Sequence, residues 1–219
     1  MNLLRTRSRD RDIINAMSKS DIQRVLDFWF SDSELDSPQL DSRMNRWFGA
    51  SDALDDRIRR EFGTLIESAT TGRLDDWTET PRGRLALIIL LDQFCRNIYR
   101  GTARAFAHDK KALKIAIEGT MAGDHKQLNA VERMFFFMPL QHAESLKIQE
   151  KSVSIFNALA ETVPGTLHET FLTAAQFAEL HRDIVAEFGR FPHRNAVLGR
   201  KNSSEETAYL AGDTPSFGQ

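Results

Sequence analysis

The chain has 219 residues, 41% hydrophobic and 27% charged, which is enough apolar material for a sizeable core. A formal net charge of −2 supplies no basic face for nucleic acid, and no apolar run approaches the ~20 residues of a membrane span. The single cysteine, Cys95, excludes an internal disulfide and a cysteine-based metal site, and suits a reducing, cytoplasmic setting.

Residues 1–17 carry four arginines and two aspartates without the apolar core of a signal peptide. They read as a disordered leader ahead of a single all-helical domain over residues 18–219. Ser18 with Asp21 predicts the start of a helix that buries Ile22, Val25, Leu26 and Trp29. Ser51 predicts a second, through Leu54, Ile58, Phe62, Leu65 and Ile66, stopped at Gly72. Thr80 before Pro81 is an N-cap with proline at the first helical position, and that helix should run to about Tyr99 with Gly101 near its end. Asp109 opens a segment that Gly123 closes. Capping boxes are expected at Asn129 with Glu132, Thr166 with Glu169 and Ser203 with Glu206. Stripes at helical spacing run from Leu146 to Ala160 and from Phe171 to Phe188, and all six prolines are placed at helix edges, in loops or in the tail. No alternating run of strand length intervenes. The expectation is an all-α protein of about eight or nine helices whose short loops favour antiparallel neighbours.

The segment LALIILLDQFCRNIYRG, residues 85–101, is apolar all round and then turns polar. Asp92, Arg96 and Arg100 share one face by fours, and Gln93, Asn97 and Arg100 share the adjoining one. Charge on so buried a helix needs a partner, so either Asp92 and Arg96 pair internally, or this end opens into a pocket where Arg96, Asn97 and Arg100 meet a ligand. In VERMFFFMPLQHAE, residues 131–144, the aromatic block is core, and His142 is expected on or beside the packed face of the following helix. Glu144 points elsewhere. His181 falls on an apolar stripe where leucine would be expected, and burial should keep it neutral.

GRFPHRN, residues 189–195, gathers cations and amides where a helix ends. Gly189 closes that helix, and Pro192 begins a short one whose first turn holds His193, Arg194 and Asn195, with free N–H groups that attract anions. From Arg190 to Lys201 there is no acid, so either a ligand or distant acids such as Asp92 or Glu144 neutralise the segment. Phosphate-binding glycine loops, nucleophile elbows and helical zinc or di-iron signatures are all missing, so no metal or cofactor is expected.

The ordered series VLDFWF, RWFG, LALIILLDQFCRNIYRGTARAFAHD, ERMFFFMPLQHAE and GRFPHRNAVLGR with SSEE resembles the bacterial domain-of-unknown-function family 924, DUF924, from about Ser20 to Phe217. The resemblance implies a tetratricopeptide-repeat-like, right-handed superhelical array of antiparallel helical pairs, and no established activity, substrate or cofactor. The chain departs from the family pattern at Cys95, commonly proline, and at Ala143, commonly serine. Cysteine restores an N–H and should straighten the helix.

Two functions fit these residues. One is binding of a small anion, a carboxylate or phosphate, by Arg96, Asn97, Arg100, His193, Arg194 and Asn195. Asp92, Gln93, Glu144 and Arg190 would support that site, and His142, His181 or His193 would be the acid–base candidates. The other is a protein- or peptide-interaction module in which the same residues are internal struts.

Overall fold

The computed structural model describes residues 18–30, 37–212 and 214, with backbone alone for 37–42; the expected leader, residues 1–17, lies outside the described residues. Helices α1 (18–30), α2 (Ser37–Phe48) and α3 (Asp52–Thr70) lead into α4 (Pro81–Ile88). That helix continues through a π-helical segment (Ile89–Phe94) into α5 (Cys95–Ile98). Helices α6 (Asp109–Ala122), α7 (Ala130–Gln141), α8 (Leu146–Thr162), α9 (Gly165–Phe188) and α10 (Ser204–Leu210) follow, and no strand occurs among the described residues. The protein is all-α.

The caps form where local chemistry requires them. Ser51 accepts from the N–H of Leu54, and Thr80 accepts from Gly83 at 3.1 Å ahead of Pro81. Asn129–Glu132 and Ser203–Glu206 both close as reciprocal capping boxes. Gly123 and Gly189 end α6 and α9 in the left-handed conformation at φ 82° and 70°.

Three local expectations fail. Ser18 is already helical and is not a cap. Thr166 makes no box, because α9 starts one residue earlier, at Gly165, with Pro164 supplying the entry angle. Pro139 lies inside α7 and not at an edge, where it has no N–H to give the Phe135 carbonyl one turn back. In the central helix a π-helical segment ends at the residue before Cys95, so this irregularity does not need proline.

The continuous helix α4–π–α5 is the axis of the fold, packed against α3, α6 and α7, which explains its apolar surface on every side. Across it lies an aromatic cluster in which Trp29 of α1 meets Phe94 and Phe135 at 5.5 and 5.6 Å between ring centroids. Trp47 of α2 joins this cluster and donates to the Trp29 carbonyl at 2.8 Å. Helices α8 and α9 form the most extensive helical pair, joined by two residues and packed on α7. This arrangement brings the polar end of the central helix, the end of α7, the start of α6 and the Phe191–Asn195 loop to one place.

Candidate functional site

The π-helical segment turns both Asp92 and Gln93 inward. Asp92 is 0% exposed, and its carboxylate accepts from Gln93 Nε2 at 2.6 Å, His142 Nδ1 at 2.7 Å and Arg96 Nη1 at 2.9 Å. Burial alone would raise its pKa, but Arg96 and His142 overrule that and hold it below the usual carboxylate range. An ionised Asp92 only accepts, so the His142 proton sits on Nδ1.

The network then closes on itself. Arg96 Nη2 donates to Asp109 Oδ2 at 2.9 Å, and Arg194 Nη1 reaches the same oxygen at 3.2 Å. Arg194 Nη1 also donates to the His142 carbonyl at 3.1 Å, which completes a ring through His142, Asp92, Arg96, Asp109 and Arg194. The Arg194 guanidinium lies between the Phe106 and Phe191 rings, 4.6 and 4.4 Å from their centroids. Its Nε is buried and makes no hydrogen bond. Burial pulls the Arg194 pKa down to about 10, partly offset by Asp109, so it stays cationic at neutral pH.

Within this ring two cations balance two anions. The histidines add no charge. Burial lowers His142, helped by Arg96 and opposed by Asp92. Burial brings His181 down to about 3, although its Nδ1 lies 2.6 Å from the Phe177 carbonyl. His193 also falls to about 3, through burial and then Arg194.

These groups border a polar cavity of about 70 Å³ lined by Gln93, Arg96, Asn97, Arg100, His142, His181, His193 and Arg194, with Trp47, Phe48, Gly49 and Phe106. Beside it lies an apolar groove of about 340 Å³ between α2, α7 and α9, lined chiefly by Met44, Phe48, Met138, Ala174 and Phe177. Phe48, His142 and His181 belong to both spaces. Phe177, on a stripe that reads as core, is 47% exposed because it walls this groove.

Not every sequence candidate is here. Asn97 and Arg100 line the cavity but also bond Asp55 of α3, at 2.7 and 3.1 Å. Asn195 is fully buried away from the cavity and donates to Asn202 and Glu206 at 2.8 and 3.2 Å. Arg190 pairs with Glu206, and Glu144 holds Arg200 and the Phe191 N–H. The Pro192 turn offers no anion-binding N–H groups at Arg194 and Asn195: it is a three-residue 3-10 turn, and both groups bond back to Phe191 and Pro192 carbonyls. His142 is the C-cap of α7 and does not lie on the next helix, which starts only at Leu146.

Asp109, Asp55, Phe106 and the apolar residues of the groove carried no functional signal in the sequence. An acid at the first position of a helix is already accounted for by the helix dipole, which hides its second role. Cys95 lies behind the site, fully buried, with burial raising its thiol to about 12. Among the described residues no three of His, Cys, Asp and Glu converge as a metal site, and no helix is long and apolar enough to cross a membrane.

Comparison with known proteins gives a consistent relationship. The solved structure of a protein of unknown function from Agrobacterium tumefaciens is similar at 33% identity and a TM-score of 0.74, covering 88% of this chain and 98% of that one. No curated protein matches the chain. The family described as bacterial protein of unknown function, DUF924, matches residues 25–214. With that span and with the central helix, the His142 turn and the Phe191–Arg200 loop all inside it, the chain belongs to the DUF924 family.

Proposed function

We propose that the protein binds a small carboxylate with an apolar body, its head in the polar cavity and its body in the groove. The observation that carries this reading is the junction itself. Arg194, whose buried Nε–H makes no hydrogen bond, lines a polar cavity that shares His142, His181 and Phe48 with an apolar groove. An unmade hydrogen bond at a buried donor costs about 1–3 kcal/mol, so an acceptor at that nitrogen is stabilising. The groove volume of about 340 Å³ is at the lower end of the ~300–1,000 Å³ typical of small-molecule sites.

Charge balance narrows the anion. Arg96 and Arg194 are already neutralised by Asp92 and Asp109, so the ring has no surplus for a phosphate dianion. A monoanionic carboxylate needs only partial charge and directed donors. A thermal-shift series of acetate, butyrate, hexanoate, octanoate and inorganic phosphate tests this. Octanoate at a hundredfold excess over its dissociation constant should add about 2.7 kcal/mol, a melting shift on the order of 5–11 °C for a chain of this size. Acetate and phosphate should add far less. A phosphate shift equal to or above that of octanoate, or no dependence on chain length, defeats the proposal.

A further inference from the structure

We infer that the site hydrolyses acyl esters, with His142 as the general base that activates water where the polar cavity meets the apolar groove. This rests on the carboxylate reading above, because a carboxylic acid with an apolar body is what such a reaction releases.

The geometry of His142 sets it apart from the other two histidines. Its Nδ1–H is held at 2.7 Å by a fully buried aspartate, which fixes the tautomer and leaves the Nε2 lone pair as the basic position. Nε2 makes no hydrogen bond among the described residues, and the side chain keeps 14% of its surface accessible. The ring borders both spaces, so a water beside it faces an acyl carbon whose chain lies in the groove. The charged groups around it are Asp92, Arg96, Asp109 and Arg194, with the His181 ring 6.3 Å away between centroids.

Nothing else in the lining supplies a nucleophile. Among the described residues, neither space is lined by serine, threonine, cysteine or lysine, so the attacking oxygen is that of water. The water proton passes to His142 Nε2 while a lone pair on its oxygen forms the bond to the acyl carbon. The carbonyl pair moves onto oxygen, and the Arg194 guanidinium on the cavity wall is the donor for that oxyanion. Collapse breaks the ester C–O bond, and the leaving oxygen takes the proton back from His142. The products are the carboxylic acid and the alcohol, with no other reactant consumed.

The test uses p-nitrophenyl octanoate and the full chain, wild type and His142→Asn. Asparagine keeps a side-chain N–H to donate to Asp92 but has no second ring nitrogen. Wild type should release p-nitrophenolate saturably, with octanoate as a competitive inhibitor. His142→Asn should lose at least about 100-fold in kcat with little change in KM, the signature of a lost general base. A wild-type rate no higher than buffer, or a variant that keeps its rate, overturns the inference. Octanoate melting shifts separate the two ideas: shifts in both proteins without hydrolysis leave the binding proposal standing and remove this one, while no shift and no hydrolysis remove both. Should the variant fail to fold by circular dichroism, the wild-type pH–rate profile decides. A neutral plateau that falls on the acid side supports the base, and a rate that tracks hydroxide overturns it.

Discussion

Asp109 serves two arginines through one carboxylate oxygen, and the consequences of removing either side differ. Asp109→Asn would keep an amide oxygen for Arg96 and Arg194 but remove the anion that balances them, leaving Asp92 alone against two buried cations. Stranding buried charge in this way should cost about 3–5 kcal/mol in urea denaturation. Arg194→Ala is milder, because Asp109 keeps Arg96; about 1.5–3 kcal/mol covers the lost charged hydrogen bonds. A larger loss for Arg194→Ala than for Asp109→Asn would show that the ring is organised around the arginine. Asp109 also shows what the sequence conceals. Its bond to Arg194 spans 85 residues, and nothing local distinguishes it from an ordinary helix-start acid. Asp92 and Arg96, four apart on one buried helix, were legible as a pair for the opposite reason.

At the scale of elements, the π-helical segment is what turns the central helix into a site. An extra residue in that turn presents Asp92 and Gln93, neighbours in sequence, to the same interior, which a regular helix would point roughly 100° apart. Caps, glycine stops and apolar stripes were readable because each is set within a few residues. The π-helical turn was not, since its composition is that of any buried helix. It carries a prediction about Cys95. Proline in a helix interior costs about 3 kcal/mol, but directly after a π-helical turn the preceding carbonyls are already displaced. Cys95→Pro should therefore cost well under ~3 kcal/mol by thermal denaturation, and a full penalty would mean that the turn alone does not make room. Gly119 of α6 gives a contrasting case. A Cβ there would sit 2.2 Å from Cδ of Arg84, which is locked to Asp124 at 2.7 Å. Gly119→Ala should thus destabilise by about 1–3 kcal/mol, even though alanine is the better helix former.

Across the whole molecule, buried ionisable groups are poised in one direction. His142, His181 and His193 are all held neutral by burial, so their folded pKa values lie below the unfolded value near 6.5. The unfolded chain binds more protons below that pH, and stability must fall as pH drops from about 6.5 toward about 3. His181 alone should account for about 2 kcal/mol between pH 6.5 and 5. Asp92, Glu144 and Glu206, whose carboxyls are held low by arginine and other donors, add to the loss once pH passes below about 4.5. Urea midpoints from pH 8 to 4 check this. His181→Leu should flatten the upper part of the curve, and an unchanged slope would place the titration elsewhere.

The pairing of a charge-balanced polar cavity with an apolar groove is the central feature, and a crystal structure grown with octanoate tests its use most directly. The carboxylate should lie within hydrogen-bond distance of Arg194 Nε, with the chain running past His142 between Phe48 and Phe177. Octanoate found elsewhere on the molecule, or seated in the groove with its carboxylate turned away from Arg194, would contradict it.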